Sequence, residues 1–237
     1  MHALLIPVKD LRRAKQRLAP HLSQQDRTSL AHAMFEDFCA AIVGTRLPEK
    51  VFVVTSFAPA IEVAAANKWE VVSEEQQESE SASVDFASRI CAARGVTSLA
   101  RVPIDLPLIT AADVDALFEA NHAIAAARPG EPSMIIVPSR CGTGTNALLR
   151  TPPTLFPSHF GPNSFSKHLA EARDCDAHTT ILRNERLELD VDDWEDLKAL
   201  AIRSDLPRHT ARWLKSIGIS RELNAAGTDT AAFAASA

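Results

Sequence analysis

The chain has 237 residues, of which 46% are hydrophobic, and a formal net charge of -5. That is length for one α/β domain with a sizeable core, expected here over residues 1–222 with a disordered tail over 223–237. The 25 basic residues are spread along the chain, which argues against a nucleic-acid partner, since phosphate tracking needs a concentrated basic surface.

The N-terminus carries no signal-peptide pattern, and no apolar run approaches the roughly 20 residues of a membrane span. A cytoplasmic location is expected. Cys39, Cys91, Cys141 and Cys175 form no C-x-x-C pair, so reduced thiols are expected rather than a zinc knuckle or a dithiol centre.

In chain order, Ala3 to Val8 reads as a buried strand. Leu11 to Pro20 is basic, and Ser23 to Asp26 matches a capping box before a helix that runs to about Val43. Val51 to Thr55 is a second strand, Pro59 to Asn67 a helix and Glu70 to Ser73 a third strand. Glu74 to Ser83 is acidic and aperiodic and reads as a loop, with a helix over Val84 to Arg94. Leu99 to Asp105 reads as a strand running into Leu-Pro-Leu, and Thr110 to Asp113 is a second capping box. Ser133 to Pro138 and Ala147 to Arg150 are strands around the glycine-rich turn Cys141 to Asn146. Pro152 to Asn163 is loop, and Ser164 to Arg173 is helix. Leu187 to Asp192 reads as a strand, followed by a helix capped by Asp193 and a last one from about Pro207 to Ile217. Strands alternating with helices imply a mostly parallel sheet with helices on both faces. Such sheets bind ligands beyond the carboxyl ends of their strands.

Three features gather at those ends. Asp105 leaves the sheet where Pro107 removes a backbone donor. The segment LELDVD alternates, so Asp190 and Asp192 share a face about 6.5–7 Å apart. Three such aspartates suit Mg²⁺, which takes a few carboxylates together with substrate phosphate oxygens. Lys9, Arg12, Arg13, Lys15 and Arg17 follow the first strand, a common place to hold phosphates. There is no glycine-rich phosphate loop of either familiar pattern. Thr145 and Asn146 of the turn, and Gly161 and Ser164 at a helix start, supply hydroxyl, amide and backbone N–H groups for an anion. His168, one turn further on, could also meet an anion, but a satisfied surface histidine is the favoured reading.

Five segments, IPVKDLRRAKQRL, PIDLPLI, RCGTGTNALL, FGPNSFSKHLAEA and LELDVDDWEDL, occur in this order. Together they resemble the guanylyltransferases of coenzyme F420 biosynthesis, over about residues 3–203. The resemblance implies a GT-A-like (Rossmann-like) nucleotidyltransferase fold. It implies transfer of GMP from GTP to phosphoenolpyruvate, 3-phospho-D-glycerate or 2-phospho-L-lactate, with release of pyrophosphate. By position, Asp105, Asp190 and Asp192 would hold magnesium, and Thr145, Asn146, Gly161 and Ser164 would hold the acid. Lys9 and Lys15 would face the triphosphate, with Asp105 and Lys15 at the catalytic centre. The family often shows Gly-Leu-Asn where this chain has Ser83-Val84-Asp85, a departure that bears on base or acid recognition and puts Asp85 beside the nucleotide. The implied partners are GTP and a small acid, in a monomer or homodimer that hands its product to the next enzyme. Two other readings compete. One is nucleotidyl transfer to a sugar phosphate or molybdopterin-type acceptor, against which the missing glycine-rich first loop argues. The other is a nucleotide-binding module without catalysis.

Overall fold

A computed structural model describes residues 1–74 and 78–219. The expected boundary at 222 and the tail over 223–237 lie outside the described residues. Seven strands form one sheet in the order β3-β2-β1-β4-β6-β5-β7. They are β1 (His2–Pro7), β2 (Lys50–Thr55), β3 (Glu70–Ser73), β4 (Ser98–Arg101), β5 (Ser133–Pro138), β6 (Thr145–Thr151) and β7 (His178–Ile181). All neighbouring pairs are parallel except those made by β6, which runs antiparallel to both β4 and β5.

Side-chain alternation along the strands sorts the core into two layers. Leu4, Ile6, Val53, Ala100, Ile135 and Leu149 face α1 (Gln24–Val43), α2 (Ala58–Ala66) and α4 (Ala111–Ala127), meeting Phe35, Phe38, Ala60, Leu117 and Phe118. On the opposite face, Ala3, Leu5, Phe52 and Val54 pack on Val84, Ala87 and Cys91 of α3 (Glu80–Ala93). Met134, Ile136 and Leu148 meet Ala172 of α5 (Ser164–Asp174). The expected fold class, a mostly parallel sheet covered on both faces, is what the chain adopts.

The remaining helices are the single turn α6 (Glu185–Glu188), α7 (Trp194–Ala201) and α8 (Arg208–Ile217). A separate cluster on the outer side of α1 joins Leu30 and Met34 to Leu197, Leu200, Trp213 and Leu214. Two amide N–H groups at the start of α8 are satisfied by Asp37 of α1, which accepts from His209 N at 3.0 Å and Thr210 N at 2.7 Å. A carboxylate at a helix start is favoured by the orphan donors and the dipole there.

The capping box before α4 forms, with Thr110 and Asp113 pairing reciprocally, whereas before α1 only its N-cap half does: Ser23 accepts from Asp26 N, and the Asp26 carboxylate accepts from the Ser23 hydroxyl rather than from its amide. Asp193 caps α7 as expected. Four expectations change. The helix α3 begins at Glu80, capped by Ser79, so only the front of the acidic stretch lies outside it. Its residues 75–77 are outside the described residues. The strand β4 ends at Arg101, not Asp105: Pro103 cannot donate to a ladder, and Ile104 and Asp105 lie in a turn. Leu187 to Asp192 is not a strand. Asn184 caps Arg186 N and Leu187 N and winds α6, and the chain beyond it is extended but unpaired to the sheet. The alternation persists there, with Leu187, Leu189 and Val191 buried. Finally, β7 was not legible as a strand: HTTI is short, at the sheet edge and half exposed.

Asp113 holds α4 and α6 together. Its carboxylate accepts from the Thr110 amide and hydroxyl, from Asn184 Nδ2 at 2.7 Å, and from Arg186 Nε and Nη2 at 2.7 and 2.5 Å. It is 2% exposed. Asp113→Ala leaves those donors unpaired and is expected to lower unfolding free energy by about 2–4 kcal/mol, read as a lower midpoint in urea denaturation. An unchanged midpoint would show that the pairing contributes nothing net.

Candidate active site

The sheet order places the site. From β1 the chain moves outward to β2 and β3, then returns to place β4 on the other side of β1. The loops leaving β1 and β4 therefore diverge from adjacent parallel strands, which opens a crevice at their carboxyl ends. Two hollows occupy it. The first, about 1000 Å³, is lined by residues of the β1 loop including Lys9, Arg13 and Lys15. The second, about 780 Å³, is lined by Thr145, Asn146, Gly161, Ser164, Asp190 and Asp192 among others. Glu80, Pro103 and Asp105 line both, so Asp105 stands on the boundary.

The β1 loop consists of two 3₁₀ turns, Leu11–Arg13 and Gln16–Leu18. Lys15, between them, has φ 56°, in the left-handed region. Its ammonium donates to Asp105 Oδ2 at 3.2 Å and to Asp192 Oδ1 at 3.1 Å. Burial pulls the Lys15 pKa down, but the two carboxylates outweigh it and the net shift is upward. Lys15 is therefore charged at neutral pH. Arg12 is committed to Asp10, whereas Lys9 and Arg13 are exposed on the rim. Arg17 reaches Asp192 Oδ2 at 3.9 Å.

Asp105 is tied to Val191, whose amide donates to the Asp105 carbonyl at 3.2 Å. Burial pushes the Asp105 carboxyl up, but the charges of Lys15 and Arg101 bring it below the usual carboxylate value. Its Oδ1 is buried without a hydrogen-bond partner. Asp190 goes the other way. Burial, then the charges of Asp105 and Asp192, push it up to about 6. The three aspartates thus repel one another in one small volume.

Those two facts test the site for a divalent cation. A buried, unpartnered carboxylate oxygen and a neighbouring carboxyl destabilised by like charge both call for positive charge. Among the described residues, no three His, Cys, Asp or Glu side chains close on a common point as a finished cage. Magnesium usually keeps water and substrate phosphates and needs only one or two carboxylates, so the donor set suits it in company with a triphosphate.

Asn146 positions the second aspartate. Its Nδ2 donates to the carbonyls of Leu187 and Glu188 at 3.0 Å each, and to Asp190 Oδ1 at 3.2 Å. Thr145 Oγ1 lies 3.0 Å from His168 Nδ1. Gly161, with φ 121°, turns the chain into α5 through Asn163, also left-handed, and no side chain caps α5. Gly144 is constrained by contact: a Cβ there would lie 2.8 Å from Ser139 Oγ, whose hydroxyl accepts from the Gly144 amide.

The structure brings together Lys15, Asp105, Asn146, Asp190 and Asp192, with Lys9 on the rim. It gives Asp85 other partners: its oxygens accept from the Ser158 amide and hydroxyl, it lies 3.6 Å from Arg150, and it lines neither hollow. His168 is not on the surface; it is fully buried.

Arg101 was missed. It is buried at the end of β4, with Nη1 donating to the carbonyls of Thr145 and Asn146 and its guanidinium 4.0 Å above the Phe160 ring. It also pairs with Glu80. Burial lowers its pKa to about 10, and Asp105 and Asp190 oppose that shift. The sequence carries a signal for it: an arginine directly after Leu99 and Ala100, four residues before Asp105. Cys141, on the wall of the second hollow, has its thiol brought down to about 7 by hydrogen bonds with Ser139 and Thr143. All four cysteines are free thiols.

Comparison with known proteins agrees with this geometry. Residues 2–233 match the family described as guanylyl transferase CofC like. The chain is 34% identical to the phosphoenolpyruvate guanylyltransferase of Roseiflexus castenholzii over 207 residues, 87% of this chain and 90% of that protein. It is 30% identical to the 2-phospho-L-lactate guanylyltransferase of Methanothermobacter thermautotrophicus over 213 residues, 90% of this chain and 89% of that one. Among solved structures, a nucleotide-diphospho-sugar transferase from Desulfovibrio desulfuricans superposes with TM-score 0.72 at 15% identity, covering 93% of this chain and 97% of its own. A cytidylyltransferase from Leptospira borgpetersenii gives 0.54 at 14%, covering 94% and 95%. These two likenesses establish the nucleotidyltransferase fold. No helix among the described residues is long and apolar enough to cross a membrane.

Asn146→Ala removes the only side chain described as donating to both Leu187 and Glu188 carbonyls. The expected result is a loss of about 1–3 kcal/mol and faster hydrogen exchange at the Val191 amide. Unaltered exchange would show that the segment is held by its apolar residues alone.

Proposed function

The chain belongs to the guanylyl transferase CofC-like family, and from that premise we propose that it transfers GMP from GTP to a phosphorylated three-carbon acid in coenzyme F420 biosynthesis. Phosphoenolpyruvate is the first acid to test, since it appears in the name of the Roseiflexus relative. The observation that carries the reading is the position of Asp105 between two hollows of different chemistry. The first has a basic rim, suited to a triphosphate. The second is lined by Arg101, Arg140, Thr145, Gly161 and Ser164 as well as by the aspartates, so it would take an anion together with the cation.

In this reading the acid's phosphate oxygen attacks the α-phosphorus of GTP. The bond from the α-phosphorus to the bridging oxygen breaks, and pyrophosphate leaves with that electron pair. The nucleophile is already anionic, so no side chain need act as general base. Lys15 would turn from the carboxylates to the triphosphate oxygens as the nucleotide arrives, and Lys9 would meet them from the rim. Arg101 holds the carbonyls of Thr145 and Asn146 and so fixes the start of β6 against the acid. Asp105, Asp190 and Asp192 would hold magnesium, which when bound offsets charge building on the α-phosphate and the departing pyrophosphate. Catalysis is then positioning and charge neutralisation.

Protein incubated with GTP, Mg²⁺ and phosphoenolpyruvate, 3-phospho-D-glycerate or 2-phospho-L-lactate in turn should release pyrophosphate with one acid at least. Release with none of them sinks the proposal, and a preference for CTP or UTP would favour a sugar-phosphate or other acceptor. Asp105→Asn should lower kcat roughly 100- to 1000-fold, and Lys15→Met should lower it comparably while raising the KM for GTP.

A further inference from the structure

His168 lies behind Thr145, a residue that lines the proposed acid site, and its surroundings determine its ring hydrogens. The residue is fully buried. Phe160 meets it edge-on with ring centres 5.1 Å apart, and Phe156 lies 6.1 Å away. The backbone N–H of His159 donates to Nε2 at 2.9 Å. A backbone amide can only donate, so Nε2 carries no hydrogen. The ring is neutral, its pKa brought to about 3 by burial and by the charges of Arg150 and, less strongly, His159, Arg101 and Lys167. A neutral ring has one N–H, which must then be on Nδ1. Nδ1 lies 3.0 Å from Thr145 Oγ1, so the ring donates and the threonine oxygen accepts. That leaves the threonine's own hydroxyl hydrogen free to be given elsewhere, and Thr145 lines the second hollow.

We propose that His168 is a positioning residue that fixes the Thr145 hydroxyl as a hydrogen-bond donor to an anionic oxygen of the acid. The inference rests on the reading of the second hollow as the acid site. The ring takes no part in proton transfer, because both nitrogens are occupied and neither faces the hollow. Its effect is on orientation: Nδ1 already carries a hydrogen and cannot accept the threonine O–H, so that hydrogen is left for the acid, whose anionic oxygen can only accept.

The test separates the two ring nitrogens. In His168→Asn the amide Nδ2 can replace Nδ1–H toward Thr145. In His168→Gln the side chain reaches the Nε2 position and can accept from His159, but no donor faces Thr145. We expect His168→Gln and Thr145→Val each to raise the KM for the acid about 10- to 100-fold, as for a lost hydrogen bond to a charged group. The KM for GTP should stay unchanged and report an intact fold. His168→Asn should recover most of the acid affinity, and Thr145→Val with His168→Gln should be no worse than Thr145→Val alone. An acid KM unmoved by His168→Gln, or a further rise on the Thr145→Val background, overturns the relay. So does a wild-type ring whose ¹⁵N shifts show hydrogen on Nε2. A wild type that binds phosphoenolpyruvate, with magnesium and a non-hydrolysable GTP analogue, but releases no pyrophosphate overturns the proposed reaction instead. The variants are then compared by Kd. A wild type that does not bind any of the three acids overturns both.

Discussion

Negative charge crowded into a half-buried crevice is the constraint around which this molecule is arranged. Asp105, Asp190 and Asp192 come from two separate stretches of chain and repel one another across a short gap. Lys15, with hydrogen bonds to two of them, and Arg101, whose charge stabilises Asp105, supply the compensation. An unpaired buried charge is among the most destabilising features a fold can hold. The basic β1 loop is therefore as much a part of the folded carboxylate site as it is a candidate phosphate site. The same arrangement leaves Asp190 poorly compensated and Asp105 Oδ1 unsatisfied. The protein on its own meets only part of the demand for positive charge.

Holding such a site requires that its pieces not drift apart. The segment carrying Asp190 and Asp192 belongs to no strand, so no ladder fixes it. Its register comes instead from discrete polar bonds: Val191 N to the Asp105 carbonyl, Arg140 N to the Glu188 carbonyl, and the triple donation of Asn146. Upstream, Asp113 clamps Arg186 and Asn184 to the start of α4. Downstream, Leu189 and Val191 sink into the cluster between α1, α7 and α8. Each anchor ties the segment to a different layer, which limits its motion in several directions at once.

Much of this could be read from the sequence, because periodicity and capping are local signals. The strands of the parallel half, the capped starts of α1, α4 and α7, and the three aspartates were legible in that way. The LELDVD segment shows where local pattern stops short. Its alternation reported burial correctly, with Leu187, Leu189 and Val191 inside. Alternation does not reveal whether a partner strand exists, and here the backbone bonds go to side chains and turns. Arg101 and His168 were passed over for a related reason. Their importance comes from groups that the fold brings to them: the Thr145 and Asn146 carbonyls for one, Thr145 Oγ1 and the His159 amide for the other. Asp85 was assigned by position to the nucleotide, yet its oxygens accept from Ser158. A contact between residues 73 positions apart leaves no trace in local pattern.

The left-handed backbone of Lys15 trades a local strain for the placement of one charge. A side chain other than glycine at φ 56° stores on the order of 1 kcal/mol of strain. Glycine would relax that turn, but it would discard the ammonium the crevice depends on. Without that ammonium Asp105 and Asp192 lose the partner they share, a larger loss than the strain relieved. The tightest point of the β1 loop is thus also the peg that fastens it to the two segments it faces.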